Sequence, residues 1–277
     1  VAAAARPEVS TETVKEKEGI AIVVAIDTSS TMVSGGINLT FEDLSRRPET
    51  KGKNTLKRID AVREVARDFI KERKDDIIGI VAFASEAFIV SPVTFDHDWL
   101  MASLDRVKVG IIKDGTAIGS GIMMSLNALK EVKAKEKVIV LLSDGINNYG
   151  KISPIVAAKA ARALGIKIYT VGLVSGGDGL VALADGSGRK RLSGGNIGID
   201  EKERKEISAS TGGIYFRAKD LASLRESYSE INRLEVSGIE MKSYEERVDI
   251  FGFFLIPALI VIVLEIFLSN TFFRRLP

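Results

Sequence analysis

Residues 19 to 26 read GIAIVVAI, an apolar run of strand length. A strand that alternates apolar and polar residues can leave one face in water. One that does not must be covered on both faces, as in the middle of a parallel sheet packed between helices. The pattern recurs in IIGIVAFA (77–84), KVIVLLSDG (137–145), IKIYTVGLV (166–174) and the shorter IYFRA. EAFIVSP (86–92) follows its predecessor so closely that the two predict a hairpin at a sheet edge.

Between the strands lie helical segments. Leu56, Ile59, Val62, Ala66, Phe69 and Ile70 recur at spacings of three and four, predicting an amphipathic helix over 55–73. A helical stretch over 96–107 leads to VGIIKDGTAIGSG, and MMSLNALKEVKA continues a second long helix. Ser153 and Pro154 read as N-cap and first residue of a helix that Gly165 ends. Asp200 to Glu203 has capping-box spacing and opens another helix, stopped by Gly212 and Gly213, and Asp220 caps LASLRESYSEINRL. The glycine-rich stretch 175–199 reads as a long surface loop or hairpin. Strands alternating with helices predict an α/β domain over 19–235, a doubly wound mostly parallel sheet flanked by helices.

Charge and composition remove several classes. With 39 basic and 37 acidic residues interspersed, nothing marks a nucleic-acid footprint. Cysteine is absent, which excludes disulfides, thiolate zinc and cysteine nucleophiles. The run Ile250 to Leu268 carries one charge, Glu265, and as a helix would reach roughly 28 Å, close to a bilayer's hydrocarbon core. It predicts a C-terminal transmembrane helix over 250–268, preceded by a juxtamembrane linker (236–249) and followed by a short tail (269–277). Arg274 and Arg275 place that tail in the cytoplasm and the domain outside it. Residues 1–18 read as a leader, and the start at Val1 in VAAAARP predicts a membrane or signal segment upstream.

The first all-apolar run ends in DTSST, one carboxylate followed by four hydroxyls. Asp27, Ser29 and Thr31 alternate, so a turning backbone aims them at one point while Thr28 and Ser30 face away. Asp144 ends another strand and Thr116 precedes a long helix. In a doubly wound sheet all of these lie on the rim where strand carboxyl ends gather and ligands bind. Each residue alone reads as turn or cap chemistry. Together they offer only oxygens, the donors that hard cations such as Mg²⁺, Mn²⁺ or Ca²⁺ take. Two carboxylates neutralise a divalent ion without filling its coordination, leaving room for water or a partner's carboxylate. Asp114 reads as a loop cap or a further contact, and His97, without a second imidazole or thiol, as a structural or surface residue. The basic run 188–192 reads as a solvated loop or a contact for lipid headgroups.

DTSSTM, DGTAIG and LLSDG resemble the metal-ion-dependent adhesion site of von Willebrand factor type A (VWA) domains, whose first motif is D-x-S-x-S. The resemblance puts Asp27, Ser29 and Thr31 in the first motif, Thr116 in the second and Asp144 in the third, with Thr31 replacing the usual serine. DRVKVGIIKDGTAIGSGI, STGGIYFRAKD and the RRLP ending further resemble BatA/BatB-like aerotolerance membrane proteins. That likeness implies a role in stress tolerance or envelope maintenance, with sister VWA proteins and a MoxR-type AAA+ ATPase as partners. The reading that follows is a membrane-anchored module that binds an acidic side chain of a protein partner through a metal. Two others stand beside it. One is a structural component assembled through its membrane helix and Glu265. The other is a phosphoryl-transfer enzyme with Asp27 as nucleophile, although Ser29 stands where such enzymes carry a second acid. No G-x-S-x-G or G-x-x-x-x-G-K-[ST] motif offers hydrolase or ATPase chemistry.

Overall fold

The computed structural model describes residues 8–16, 19–34, 36–40, 43, 55–174, 181–184, 190–193, 200–236, 242–249 and 251–271. The strands are β1 (Glu8–Glu16), β2 (Ala21–Asp27), β3 (Gly36–Asn38), β4 (Thr55–Lys57), β5 (Ile77–Phe83), β6 (Ala87–Thr94), β7 (Lys137–Ser143), β8 (Lys167–Leu173), β9 (Val181–Ala184), β10 (Lys190–Ser193), β11 (Tyr215–Ala218) and β12 (Lys242–Asp249). The helices, numbered in chain order, are α1 (Thr31–Ser34), α2 (Arg58–Glu72), α3 (His97–Leu104), α4 (Ile118–Leu129), α5 (Pro154–Ala163), α6 (Glu201–Thr211), α7 (Leu221–Val236) and α8 (Phe251–Thr271). The chain divides into two units, Glu18–Ile239 and the pair of end segments Val1–Lys17 with Glu240–Pro277.

The larger unit is the expected α/β fold. Its sheet runs β11-β8-β7-β2-β5-β6, parallel except for β6, which pairs antiparallel with β5 at one edge. From β2 the chain first builds outward through β5 and then returns to build the other way through β7, the doubly wound arrangement with its switch point at β2. Every residue of β2 is buried. Its alternate residues feed two cores: Ile22, Val24 and Ile26 pack with α2, α3 and α7, and Ala21, Val23 and Ala25 pack with α4, α5 and α6. That two-sided covering is what the unbroken apolar run required.

Several boundaries differ from expectation. The helix expected over 55–73 starts at Arg58, because Thr55–Lys57 pair antiparallel with Gly36–Asn38. Helix α4 starts at Ile118, ahead of MMSLNAL, and stops at Leu129, before the charged KEVKA. Asp200 and Gly212 cap as read, Asp200 accepting from the Glu203 N–H at 3.0 Å and Gly212 ending α6 at φ 82°, whereas Ser153 stands at the N-cap of α5 without a side-chain hydrogen bond. Within 175–199 the described parts are β9 and β10, paired antiparallel, and Gly188 and Arg189 of the basic run lie outside the described residues.

The start of β2 and the end of α7 both lie at the amino-terminal edge of the sheet. Ala21 N–H donates to the Glu136 carbonyl at 3.0 Å. Lys167 reaches Glu136 at 3.3 Å and Glu235, near the end of α7, at 3.5 Å. The Tyr169 hydroxyl also donates to Glu235, at 2.5 Å. His97 is structural, with Nε2 3.0 Å from the Asp76 carbonyl.

In the smaller unit the segments read as leader and linker contain a strand pair, β1 with β12, from Glu8↔Asp249 to Glu16↔Lys242. Helix α8 occupies the place of the expected span, with Pro257 inside it and apolar residues from Leu255 to Leu268 exposed. Among the described residues, however, no helix is long and apolar enough to cross a membrane.

Helix α4 packs close to a loop: a Cβ on Gly119 would stand 2.1 Å from the Ile152 carbonyl oxygen. Backbone cannot yield as a side chain can, so Gly119→Ala should destabilise the larger unit by about 1–3 kcal/mol, read as a lower midpoint in denaturant unfolding.

Candidate metal centre

The site is built by strand register. β2 and β7 are parallel neighbours with Ile26 opposite Leu142, so Asp27 and Ser143 end their strands side by side. The Ser143 hydroxyl donates to Asp27 Oδ2 at 2.6 Å, and the Ser29 N–H donates to Oδ1 at 2.8 Å. Thr28 faces elsewhere, its N–H and hydroxyl both donating to the Phe83 carbonyl at 2.7 and 3.1 Å. That turn starts α1 beside the rim.

From there three side chains form a line. Thr31 Oγ1 donates to Asp144 Oδ1 at 2.6 Å. Its one proton is thereby used, so Ser29 Oγ, 2.8 Å away, is the donor to Thr31. Asp144 Oδ2 accepts from Arg58 Nη1 at 2.5 Å. Ser30 turns away from this line, and its N–H and hydroxyl donate to Asp114 at 2.8 and 2.6 Å. Asp114 is therefore the cap that ties the 27–31 turn to the 114–116 loop.

Thr116 reaches the cluster through the DGINN segment. Its N–H donates to Asn148 Oδ1 at 2.8 Å, its carbonyl accepts from the N–H groups of Asn148 and Tyr149, and Asn147 Oδ1 accepts from Ile118 N–H at 2.9 Å. A Cβ on Gly145 would stand 3.0 Å from Thr116 Oγ1, so the hydroxyl lies against the residue next to Asp144. Asp27, Ser29, Thr31 and Asp144 are thus joined by hydrogen bonds or by the strand register, and Thr116 adjoins them.

Sequence reasoning missed Ser143, Arg58, Arg204, Asn147 and Asn148. Arg204, buried in α6, donates from Nη1 to the Ser143 carbonyl at 3.1 Å and from Nη2 to Ser143 Oγ at 3.3 Å and to the Gly145 carbonyl. Ser143 alone carried a signal, as the polar residue before the acid in LLSDG. The arginines lie on helices whose apolar periodicity says nothing about where a cation ends up.

Burial first, then the neighbouring Asp144, push the Asp27 carboxyl up from 3.8 to about 6, against the hydrogen bonds from Ser143 and Ser29. Hydrogen bonds from Ser30 hold Asp114 below the usual carboxylate range. Among the described residues no group of three or more His, Cys, Asp or Glu could hold a metal. A set of two carboxylates and three hydroxyls falls outside that description, and its all-oxygen chemistry fits a hard ion.

An acid whose pKa is higher in the folded than in the unfolded chain favours folding in its protonated form, and that contribution is lost as pH rises from about 4 through about 6. In chelator, the stability of the wild type relative to Asp27→Asn should therefore fall by on the order of 2–3 kcal/mol across that window. Denaturant unfolding at the two ends of the window measures it.

Comparison with known proteins reaches the same domain. Residues 22–147 match the family described as von Willebrand factor type A domain. An uncharacterized protein of Borreliella burgdorferi is 30% identical over 219 residues, covering 79% of this chain and 64% of that protein. The chain thus spans a little under two thirds of that relative's length. A crystal structure of an aerotolerance-related membrane protein from Bacteroides fragilis matches with a TM-score of 0.60 at 21% identity, over 78% of this chain and 100% of that one. Proximal thread matrix protein 1 of the mussel byssus, with a zinc-occupied MIDAS motif, matches with a TM-score of 0.53 at 20% identity, over 82% of this chain and 48% of that one. At such identities the structural likeness is one of fold. The motifs of the sequence and the topology of the sheet agree with this match to a von Willebrand factor type A domain over residues 22–147.

Proposed function

We propose that the chain is a membrane-anchored binding module whose VWA domain holds a divalent ion and joins through it to an acidic side chain of a protein partner. Asp27, Ser29, Thr31, Thr116 and Asp144 would hold the ion. The observation that carries this reading is the line Ser29–Thr31–Asp144 drawn up beside the buried Asp27. A bound ion supplies positive charge that a partner's carboxylate can meet. The all-oxygen donor set favours Mg²⁺, with Mn²⁺ and Ca²⁺ as other hard ions. Zinc in the site of the mussel protein supports divalent binding in this fold.

Asp27 supports binding over phosphoryl transfer. A phosphoryl-transfer enzyme with Asp27 as nucleophile would want a second acid two residues on, and that position is Ser29, whose N–H donates to Asp27 Oδ1. Around the rim Ile111, Ile146 and Tyr149 are 59%, 46% and 44% exposed. Apolar residues beside a charge-seeking site suit a protein partner better than a free anion.

Anchoring rests on the run Ile250–Leu268, which we read as the span, with the domain outside the cytoplasm. The exposed apolar side chains of α8 support that reading, as does the fold shared with an aerotolerance-related membrane protein. The resemblance of DRVKVGIIKDGTAIGSGI, STGGIYFRAKD and the RRLP ending to BatA/BatB-like proteins is what suggests a role in stress tolerance or envelope maintenance, with sister VWA proteins and a MoxR-type AAA+ ATPase as partners.

The test is a pull-down from membranes using the full chain, with Mg²⁺ and with chelator. Capture should require Mg²⁺ and be lost in Asp27→Ala while the far-UV circular dichroism is unchanged. Capture indifferent to chelator would remove the metal bridge.

A further inference from the structure

Arg58 stands where helix physics would not put it. It is the first residue of α2, and a cation there opposes the positive end of the helix dipole. Its side chain is nonetheless buried against the rim: Nη1 lies 2.5 Å from Asp144 Oδ2 and 3.5 Å from the Thr31 carbonyl, and the two paired side chains are 9% and 0% exposed. The strand pair β3–β4, ending at Lys57, delivers it to that position.

The consequence lies in the charge balance. Asp27 and Asp144 bring two negative charges into a buried place. Arg58 pairs with one of them directly, and Arg204 brings a second guanidinium within hydrogen-bonding distance of Ser143, the residue that holds Asp27. Two acids and two guanidiniums sum to zero, so the rim is compensated without a divalent ion. Asp144 then has one oxygen bonded to Thr31 and the other to a fixed cation. A divalent ion approaching Asp144 meets a carboxylate already partly neutralised, and it leaves the rim with surplus positive charge.

We infer that Arg58 is a resident counter-cation that competes with the divalent ion for Asp144. It holds the acidic pair in place when no ion is bound, sets ion affinity low, and makes the loaded rim net positive and hence receptive to a partner's carboxylate. This rests on the metal-bridged reading above and adds to it a residue that tunes the ion. A simple tether between α2 and the rim would have no such effect on the ion.

The experiment titrates Mg²⁺ into the full chain by isothermal calorimetry for wild type, Arg58→Gln, Arg58→Lys and Asp27→Ala, with thermal melts of each in chelator and in excess Mg²⁺. Gln keeps a donor for Asp144 and removes the charge. Arg58→Gln should bind Mg²⁺ about tenfold tighter than wild type or more, as expected when a like charge leaves the neighbourhood of the ion. Arg58→Lys, which keeps the charge, should stay within about threefold of wild type. In chelator Arg58→Gln should melt below wild type, and Mg²⁺ should raise its midpoint by more than it raises that of wild type. If Arg58→Gln folds only in Mg²⁺, the ion has replaced the arginine's charge and the inference stands. If it fails to fold in both, or binds Mg²⁺ no tighter than wild type, Arg58 is a tether and the inference falls. Binding absent from wild type and Arg58→Gln alike sinks the metal reading itself, and this inference with it.

Discussion

Two parallel strands ending in step are what the rim depends on. Because Ile26 lies opposite Leu142, the Ser143 hydroxyl meets Asp27 at 2.6 Å and Asp144 comes next in the chain. A slip of one residue would turn Asp27 to the other face of the sheet. The register is held by burial on both sides: Ile22, Val24 and Ile26 belong to one core and Ala21, Val23 and Ala25 to the other. The hydrophobic packing of the domain and the placing of its polar rim are one constraint seen from two ends.

Most of the sheet was legible in the sequence because its central strands are apolar at every position. A run such as KVIVLLS has few other stable settings. The reach of α2 was misjudged at its start, since Leu56 fits the helical spacing although Thr55–Lys57 pair with Gly36–Asn38. The pairing of β1 with β12 was not legible at all. Those segments are charged and stand at opposite ends of the chain, and a pairing over such a separation leaves no local pattern.

For the site, the oxygens could be read and the cations could not. Asp27, Ser29 and Thr31 declare themselves by alternation within one turn, and Asp144 by its place after an apolar run. Arg58 and Arg204 sit 31 and 177 residues from Asp27 in sequence, on helices whose periodicity fixes only which face is apolar. Asn147 and Asn148 look like ordinary turn residues until their side-chain carbonyls are seen to bond Ile118 and Thr116. What decides such a rim is the second layer of partners around the obvious acids, and that layer exists only once the fold has brought separate elements together.

The start of β2 and the end of α7 lie beside Glu136 and Lys167 at one edge of the sheet, while Asp27 and Asp144 occupy the opposite edge. Tension between something gripped at the rim and the chain that holds the domain would therefore run lengthwise along β2 and β7. Such a pull would load the ladder hydrogen bonds between β2 and β7 side by side instead of one after another.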